Sequence, residues 1–469
     1  MNKHDHRENL RLLPSIDALL QTETAAKIRR QSGAKHLTVL ARALTDALRG
    51  EMLENGDVNY SREELLAKAE ENLKKLWRDE RNSGLRRVIN ATGVIVHTNL
   101  GRAPLSDIVV EALTENAARY CTLEYDLMTG KRGRRGARVE NLLAELTGAD
   151  DALVVNNCAA AAFLVLTVLA RGGEAIISRG ELVEIGGDFR IPDVLEQSGA
   201  SLREVGTTNR TRLSDYERAV SENTKMILRV HPSNYRIVGF TAAPALSELA
   251  ALAREKDVLL YEDAGSGAMF DLSRYGLTDE PVISDSIRAG ADVVTFSGDK
   301  LLGGAQSGLI VGRGEVIEKI RKHPLYRALR VDKLIYAVLE TTLELFREDA
   351  AVREIPVLKM LSATIEELKT RSLKFAKKLN KNRGVNKDLK IEVAEGKSVV
   401  GGGSAPTAQP ATILLALEHA KMSASKLEET LRFSNPPIIT RILGDKVLID
   451  LRTVSESEEA ELLKILQNI

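Results

Sequence analysis

Cysteine is nearly absent from this chain: Cys121 and Cys158 are the only two among 469 residues. So low a count excludes a disulfide framework and a cysteine-based zinc site, and it is typical of proteins kept in a reducing cytoplasm. We therefore expect both cysteines to be small buried hydrophobic side chains, and we expect no metal site.

Long hydrophobic runs are also absent. The longest apolar stretch, residues 159–170, is too short to cross a bilayer. The start, residues 1–6, is polar and lacks the apolar region of a signal peptide. With 43% hydrophobic and 28% charged residues, the composition is that of a soluble globular protein of two or more domains. The sequence predicts a cytoplasmic protein without a membrane partner.

Charge of one sign is not in excess either. The formal net charge is +0, so the overall charge does not indicate a nucleic-acid partner. Locally, however, residues 131–138 hold five cations and no anion. Such a run is commonly a solvated loop. Glycines between the arginines would equally let backbone and guanidinium groups approach a phosphate together. The sequence alone leaves both interpretations open.

Three parts are predicted along the chain. Residues 1–85 are expected to form a helical module, in which Ser61 and Glu64 match a capping box ahead of apolar residues at helical spacing. This module carries no catalytic constellation, so its residues alone indicate a packing or oligomerisation element. Residues 86–330 form a large α/β domain, and residues 331–469 form a small one.

The predicted small domain opens with a long helical stretch near 333–383. Two strands at 436–442 and 446–451 are expected to be antiparallel, and a helix at 456–467 closes the domain. The glycines at 401–403 are predicted to be a plain connector.

The large domain shows short apolar segments that alternate with helical ones. The strand-like segments are residues 152–155, 174–177, 225–230, 258–261 and 291–296. Strands alternating with helices predict a mainly parallel sheet with helices on both faces. In such sheets functional groups gather at the carboxyl ends of the strands, which is where polar clusters stand in this sequence.

Lys300 follows the last of these strands, in the sequence FSGDKLLGG at 296–304. A buried strand that ends in small polar residues, a lysine and glycines is typical of a turn that presents an amine to a cavity. Enzymes that use pyridoxal phosphate need such an amine, because the aldehyde of the cofactor forms a Schiff base with a lysine. A lone lysine after a strand is more often a surface residue, so its companions decide the interpretation.

Those companions stand at other strand ends. Asp263 is the candidate acid for the pyridine nitrogen. Asn157 and Cys158 open an alanine-rich helix directly after a strand, which predicts a cup for the cofactor phosphate, and Ser297 could add a hydroxyl. A residue of the loop at 181–187 is expected to cover the ring. Together these residues predict a pyridoxal-phosphate-dependent transferase of fold type I.

At this point the chain resembles a known family, the bacterial selenocysteine synthases or L-seryl-tRNA(Sec) selenium transferases. The resemblance runs nearly end to end. The matching segments are LPSID (13–17), VINATG (88–93), HTNLGR (97–102), YDL (125–127), SRGELVEIGG (178–187), VGTTN (205–209), SNYRIVGF (233–240), FSGDK (296–300), YRALRVDK (326–333) and LRTV (451–454). Pro232 and Ala305 depart from the family pattern, which has Thr and Pro there, and neither is an expected catalytic group.

The resemblance implies a role for each matching residue. Lys300 would hold pyridoxal phosphate and take the α-proton of the substrate. Arg102, Arg327 and Arg330 would bind the phosphate of selenophosphate, which suits guanidinium forks. Without the family, Arg327 and Arg330 would be taken for a pair on a helix surface. Asp299 and Asn234 would lie near the cofactor or the substrate.

The implied reaction converts L-seryl-tRNA(Sec) to L-selenocysteinyl-tRNA(Sec), by β-elimination to a dehydroalanyl-tRNA and addition of selenium from selenophosphate. The resemblance also implies that the N-terminal module binds the tRNA and that the protein is a homodecamer. Two alternatives remain at this stage. One is a lyase that uses pyridoxal phosphate on a phosphorylated sugar acid or an amino acid, and the other is a catalytically silent RNA-binding scaffold.

Overall fold

The computed structural model describes residues 12–55, 61–186, 189–381 and 388–469. The polar start at 1–6, Gly187 of the predicted covering loop and the end of the predicted helix at 382–383 lie outside this part. The chain divides between Arg87 and Val88 into two compact units. Within the described residues no helix is long and apolar enough to cross a membrane.

The first unit is helical, as the sequence predicts. Its described helices are Ile16–Leu20, Glu23–Ser32, Ala34–Asn55 and Arg62–Asn82. The capping box is confirmed, because the backbone N–H of Glu64 donates to Ser61 Oγ over 3.2 Å and the Ser61 N–H donates to Glu64 Oε2 over 2.8 Å. Leu37 and Leu73 are fully buried, so the apolar stripes of these helices form a core of their own.

The second unit is built on a seven-stranded sheet. In spatial order its strands are Asp151–Val155, Gly308–Gly312, Val293–Ser297, Leu259–Gly265, Thr224–Val230, Glu174–Ser178 and Ser201–Val205. All are parallel except Gly308–Gly312, which runs antiparallel to both of its neighbours. The strands are nearly continuous apolar runs because both faces of the sheet are covered.

Helices pack on both faces. On one face lie Ala137–Thr147, Leu246–Glu255, Ile283–Ala289 and Lys333–Arg347, and on the other Cys158–Leu169, Ile191–Ser198 and Gly314–Lys322. Further helices are Asp107–Ala118, Leu213–Ala219, Pro324–Leu329, Ala351–Glu354, Pro356–Ser362 and Ile365–Lys381, with single 3₁₀ turns at Thr98–Leu100, Arg179–Glu181, Ser273–Tyr275 and Glu456–Glu458. The predicted α/β architecture is thus present.

A second, antiparallel sheet follows near the C-terminus. Its strands in order are Leu389–Lys397, Ala411–His419, Lys446–Asp450 and Arg441–Leu443, with helices Ala424–Arg432 and Glu459–Gln467 beside them. The predicted hairpin with its turn at 444–445 is confirmed. Residues 438–439, which the sequence assigns to the same strand, instead pair in parallel with Ile89–Asn90.

Short strand pairs connect distant parts of this unit. Val94–Val96 pairs with Val399–Gly401, which brings the segment before Arg102 beside the glycine-rich segment. Tyr125–Asp126 pairs with Lys131–Arg132, and Glu184–Ile185 pairs with Phe189–Arg190. The domain boundaries predicted near residues 85 and 330 stay predictions.

Candidate active site

Lys300 lies in the turn after the central strand Val293–Ser297 and is only 7% exposed. Its Nζ lies 3.5 Å from the carbonyl oxygen of Gly403. The alternative of a surface lysine is therefore wrong. Gly403 belongs to the segment predicted to be a plain connector, so this segment instead forms one wall of the space around the amine.

Asp263 lies at the end of the neighbouring strand and is 9% exposed. Thr295 Oγ1 donates to its Oδ1 over 3.1 Å, and the Cys158 thiol donates to the same oxygen over 3.5 Å. Burial raises the pKa of Asp263, while these two hydrogen bonds and the charges of Lys300 and His231 act in the opposite direction. Among the described residues no side chain donates to Oδ2, which leaves that oxygen for a ligand.

The helix Cys158–Leu169 begins at the same place. Asn157 caps it, since its Oδ1 accepts from the backbone N–H of Ala160 over 2.8 Å. A Cβ at Gly308 would stand 2.1 Å from the carbonyl oxygen of Asn157, so only glycine lets the adjacent strand approach the cap this closely. The helix start is therefore fixed rigidly, with small side chains and its N–H groups directed at the space beyond the strand ends.

Cys158 and Ser297 contact each other within this group. Burial and the charge of Asp263 raise the pKa of the Cys158 thiol well above its ordinary value, while the hydrogen bond with Ser297 and the charge of Lys300 lower it. The thiol consequently stays protonated and serves as a hydrogen-bond donor to Asp263. Both cysteines of the chain are free.

Arg330 is carried to the helix start by the backbone. The N–H of Asn156 donates to the carbonyl of Leu329 over 3.1 Å, and Arg330 forms a bridge with Val155. Arg330 Nε is buried and has no hydrogen-bond partner among the described residues. A buried guanidinium nitrogen without an acceptor is costly, so this position suits an anion.

Arg102 and Asp299 form a second charged group next to Lys300. Arg102 Nη1 donates to Asp299 Oδ2 over 2.7 Å. Arg102 has a φ of 61°, a left-handed conformation that non-glycine residues rarely adopt and that is often found at functional sites. A cavity of about 470 Å³ opens beside this pair, and Thr98 and Gln306 add polar groups to its lining.

Two predicted residues have no described contact with the Lys300 group. The side chain of Asn234 is exposed, and its Nδ2 donates to the carbonyl of Glu184 over 2.8 Å. Arg327 is exposed on the short helix that precedes Arg330. Their roles therefore stay predictions.

The loop expected to cover the ring begins with a buried acid rather than an exposed one. Glu181 accepts from the backbone N–H of Val230 over 3.1 Å and pairs with Arg229 over 3.1 Å. Burial raises its pKa to about 7, and the charge of Arg229 opposes that rise. Which residue of this loop covers the ring stays a prediction.

The basic run at 131–138 is largely neutralised within the chain. Arg132 and Arg135 both pair with Glu124, Arg134 pairs with Glu140, and Arg138 pairs with Glu344. These contacts favour the interpretation of a paired surface over that of a free phosphate site.

Sequence reasoning missed several polar groups around Lys300. Ser233 is buried, and its Cβ would lie 3.7 Å from a Cβ placed at Gly403. His231 donates its backbone N–H to the Asp263 carbonyl over 3.0 Å. Both lie in a cluster at the end of strand Thr224–Val230, and the position of that cluster at a strand end was the signal that could have found them.

The arrangement fits pyridoxal phosphate. It offers a buried amine in Lys300, a buried carboxylate in Asp263 with one oxygen unoccupied by side-chain donors, and a helix start at Asn157 for a phosphate. In the described part of the chain, no group of three or more His, Cys, Asp and Glu side chains could hold a metal ion.

Comparisons with known proteins agree with this geometry. The family model described as "SelA: L-seryl-tRNA selenium transferase" matches residues 88–455. A relative from Alkaliphilus metalliredigens named L-seryl-tRNA(Sec) selenium transferase is 45% identical over 460 residues, which cover 97% of this chain and 98% of the relative. A relative of the same name from Geobacter sulfurreducens is 44% identical over 461 residues, with coverage of 97% and 98%.

Among solved structures, that of D-glucosaminate-6-phosphate ammonia-lyase matches with a TM-score of 0.57 at 20% identity. The match covers 83% of this chain and 97% of the lyase. At this level of identity the likeness shows the fold alone, and the predicted fold class, fold type I, is confirmed.

Proposed function

This chain belongs to the L-seryl-tRNA selenium transferase family, and we propose which of its residues carry out the reaction of that family. The reaction converts L-seryl-tRNA(Sec) to L-selenocysteinyl-tRNA(Sec). The chain is a transferase with pyridoxal phosphate as its cofactor. The observation that carries the assignment of residues is the buried Lys300 amine beside Asp263 and the Asn157-capped helix.

Pyridoxal phosphate, when bound, supplies an electron sink for the negative charge that develops at the α-carbon of the seryl group. Lys300 would hold the cofactor, and Asp263 would keep the pyridine nitrogen protonated. The start of the helix at Asn157 and Cys158, together with the Ser297 hydroxyl, would bind the phosphate.

Lys300 has a second task in this proposal. After the seryl amine has displaced it, Nζ takes the proton from the α-carbon. The β-hydroxyl group then leaves and receives a proton, so that water departs. A buried lysine next to the cofactor suits this task because its amine is held within reach of the α-carbon and away from bulk water.

Selenophosphate is the proposed selenium donor. Arg102, Arg327 and Arg330 would bind its phosphate, because guanidinium forks bind phosphate oxygens in pairs. Asp299, which now accepts from Arg102, would orient that arginine towards the cavity beside it. The arginines contribute by positioning the donor against the β-carbon.

The remaining proposals concern the surroundings of the site. Residues 1–87 would bind the tRNA, since the transferase family model begins at residue 88 while full-length relatives include this unit. The protein would act as a homo-oligomer, a decamer by resemblance to the family, in the cytoplasm. Asn234 would lie near the cofactor or substrate.

The decisive experiment supplies the purified protein with seryl-tRNA(Sec) and selenophosphate and measures selenocysteinyl-tRNA(Sec). We expect Lys300→Ala to lose both the absorbance of the lysine-bound cofactor and all product. Retained turnover in Lys300→Ala would overturn the assignment. Bulk seryl-tRNA is the control, and the full chain should bind it more weakly than tRNA(Sec) at low salt.

The lyase alternative has weaker support. Both full-length relatives carry the transferase name, whereas the likeness to an ammonia-lyase rests on 20% identity. Turnover of a phosphorylated sugar acid, with none of seryl-tRNA(Sec), would reverse this choice. The silent scaffold is excluded by the absorbance of a lysine-bound cofactor.

A further inference from the structure

The glycine loop, residues 401–404, is more constrained than a connector needs to be. Gly401, Gly402 and Gly403 have consecutive positive φ values of 77°, 64° and 69°. A Cβ at Gly401 would stand 2.6 Å from Val94 Cγ1, and a Cβ at Gly402 would stand 2.3 Å from Val96 Cγ1. Only glycine combines this backbone with so close an approach to the neighbouring strand.

This conformation directs one carbonyl at the catalytic amine. The Gly403 oxygen is the acceptor 3.5 Å from Lys300 Nζ, although the two residues lie 103 positions apart in the sequence. A Cβ at Gly403 would itself stand 3.5 Å from Nζ. The backbone of the loop is therefore in contact with the amine, and a side chain at this position would be too.

Glu280 fixes the far end of the glycine loop. The carboxylate is 9% exposed, and its Oε1 accepts from the backbone N–H of Ala405. Ala405 has a φ of 43°, which a non-glycine residue adopts only when its surroundings hold it there. Glu280 Oε2 is buried and without a hydrogen-bond partner among the described residues, so its burial is tolerated for the sake of the bond that Oε1 makes.

A second set of contacts holds the segment that carries Glu280. Arg236 pairs with Asp279 over 2.9 Å and donates to Thr407 Oγ1 over 3.2 Å. His231 Nε2 donates to the Asp279 carbonyl over 3.1 Å. Because the His231 backbone also donates to Asp263, a continuous chain of hydrogen bonds connects the acid of the site with the glycine loop.

We infer that the Gly403 carbonyl is the acceptor that holds the Lys300 amine whenever the lysine is not bonded to the cofactor, and that Glu280 is the positioning residue for this carbonyl. The inference rests on the proposed role of Lys300 in proton transfer. When Nζ takes the proton from the α-carbon it becomes an ammonium group, which needs an acceptor in a buried site. The Gly403 oxygen supplies one, and the ammonium then gives its proton to the departing hydroxyl.

The test uses two matched pairs of variants in the full chain. Glu280→Ala removes the acceptor for the Ala405 N–H, while Glu280→Gln keeps an oxygen in its place. Gly403→Ala adds a methyl group beside Nζ, while Gly444→Ala imposes the same left-handed strain where a Cβ meets no atom within 4 Å. The first readout is the rate at which protein freed of cofactor forms the lysine-bound absorbance after pyridoxal phosphate is added.

We expect Glu280→Ala and Gly403→Ala to slow this step and to lower kcat about 10- to 100-fold, with KM for seryl-tRNA(Sec) within about twofold. Glu280→Gln should keep both rates within about threefold of the wild type, because its hydrogen bond survives. Gly444→Ala should differ only in its unfolding midpoint.

Three outcomes would overturn the inference: a wild-type rate in Glu280→Ala, equal losses in Glu280→Gln and Glu280→Ala, or equal losses in Gly403→Ala and Gly444→Ala. If Glu280→Ala fails to fold, the glycine pair decides. Wild-type protein that forms the absorbance but leaves seryl-tRNA(Sec) unchanged would refute the proposed function, and the absorbance rates would still decide the role of the glycine loop.

Discussion

Two buried aspartates in the second unit have opposite surroundings. Asp450 is 0% exposed and accepts from Ser398 Oγ, Thr412 Oγ1 and the N–H of Arg452 over 2.7, 2.8 and 3.0 Å. Asp263 is nearly as buried but accepts from one hydroxyl and one thiol, at one oxygen.

The groups next to each aspartate differ in the same way. Arg452 donates to Ser398 and to the carbonyls of Met360, Ala363 and Ala411. Near Asp263, His231 Nδ1 and Ser266 Oγ are buried without partners among the described residues. A satisfied polar cluster stabilises a fold, whereas an unsatisfied one lowers stability until a ligand supplies the missing partners. We therefore assign Asp450 to structure and Asp263 to function.

The largest expected effect is on the structural side of this comparison. Asp450→Ala should lower the free energy of unfolding by about 3–5 kcal/mol, because it leaves Arg452 buried without its counter-charge. Urea unfolding of the protein freed of cofactor measures this. A loss below about 1 kcal/mol would remove the distinction between the two aspartates.

Asp263→Asn should show the reverse pattern. We expect kcat to fall roughly 100-fold or more, because an amide holds no proton on the pyridine nitrogen. The unfolding free energy of the protein freed of cofactor should stay equal or rise, since burial raises the pKa of Asp263 and its ionised form is unfavourable at neutral pH. A stability loss as large as that of Asp450→Ala would break the comparison.

Glu181 lies between the two extremes and titrates in an accessible range. Burial raises its pKa from 4.5 to about 7. The folded chain thus holds a proton that the unfolded chain releases between these values, so stability should fall as pH rises through this window, by on the order of 1 kcal/mol per pH unit. Glu181→Gln should make this slope shallower in urea unfolding between about pH 5 and about pH 8. An unchanged slope would show that Arg229 keeps Glu181 ionised throughout.

Cys158 provides the smallest and most local test. Cys158→Ala removes one donor to Asp263 and should weaken cofactor affinity by about 1 kcal/mol, or about fivefold. Cys158→Ser keeps a donor at this position and should restore most of that loss. Titration of the protein with pyridoxal phosphate, followed by absorbance, compares the two. Equal affinity in both variants would mean that Oδ1 needs no donor from the helix.

The parts of the site that the sequence predicts are those that depend on one strand and its neighbours. Lys300, Asp263 and Asn157 each follow an apolar run, and parallel strands bring their carboxyl ends to one edge of a sheet. The helical unit was equally predictable, because its capping box and apolar spacing are local.

The parts that escaped prediction depend on pairings over long distances. Gly403 reaches Lys300 only because Val399–Gly401 pairs with Val94–Val96, and no local pattern encodes that pairing. The acids that neutralise the basic run include Glu344, 206 positions from Arg138. The hairpin prediction for 438–439 was wrong for the same reason, since those residues pair with Ile89–Asn90.

That last pairing has a consequence for synthesis. The strand Ile89–Asn90 leaves the ribosome early, yet its partner Ile438–Ile439 is among the last segments to be made. Pairings so distant form slowly and leave unpaired edges exposed in the meantime. The nascent chain must therefore wait with the first strand of its second unit unpaired until translation is almost finished. A chain shortened by its last thirty or so residues would retain Lys300 and Asp263 but could not complete this strand pair, so premature termination should yield protein for degradation rather than a partly active enzyme.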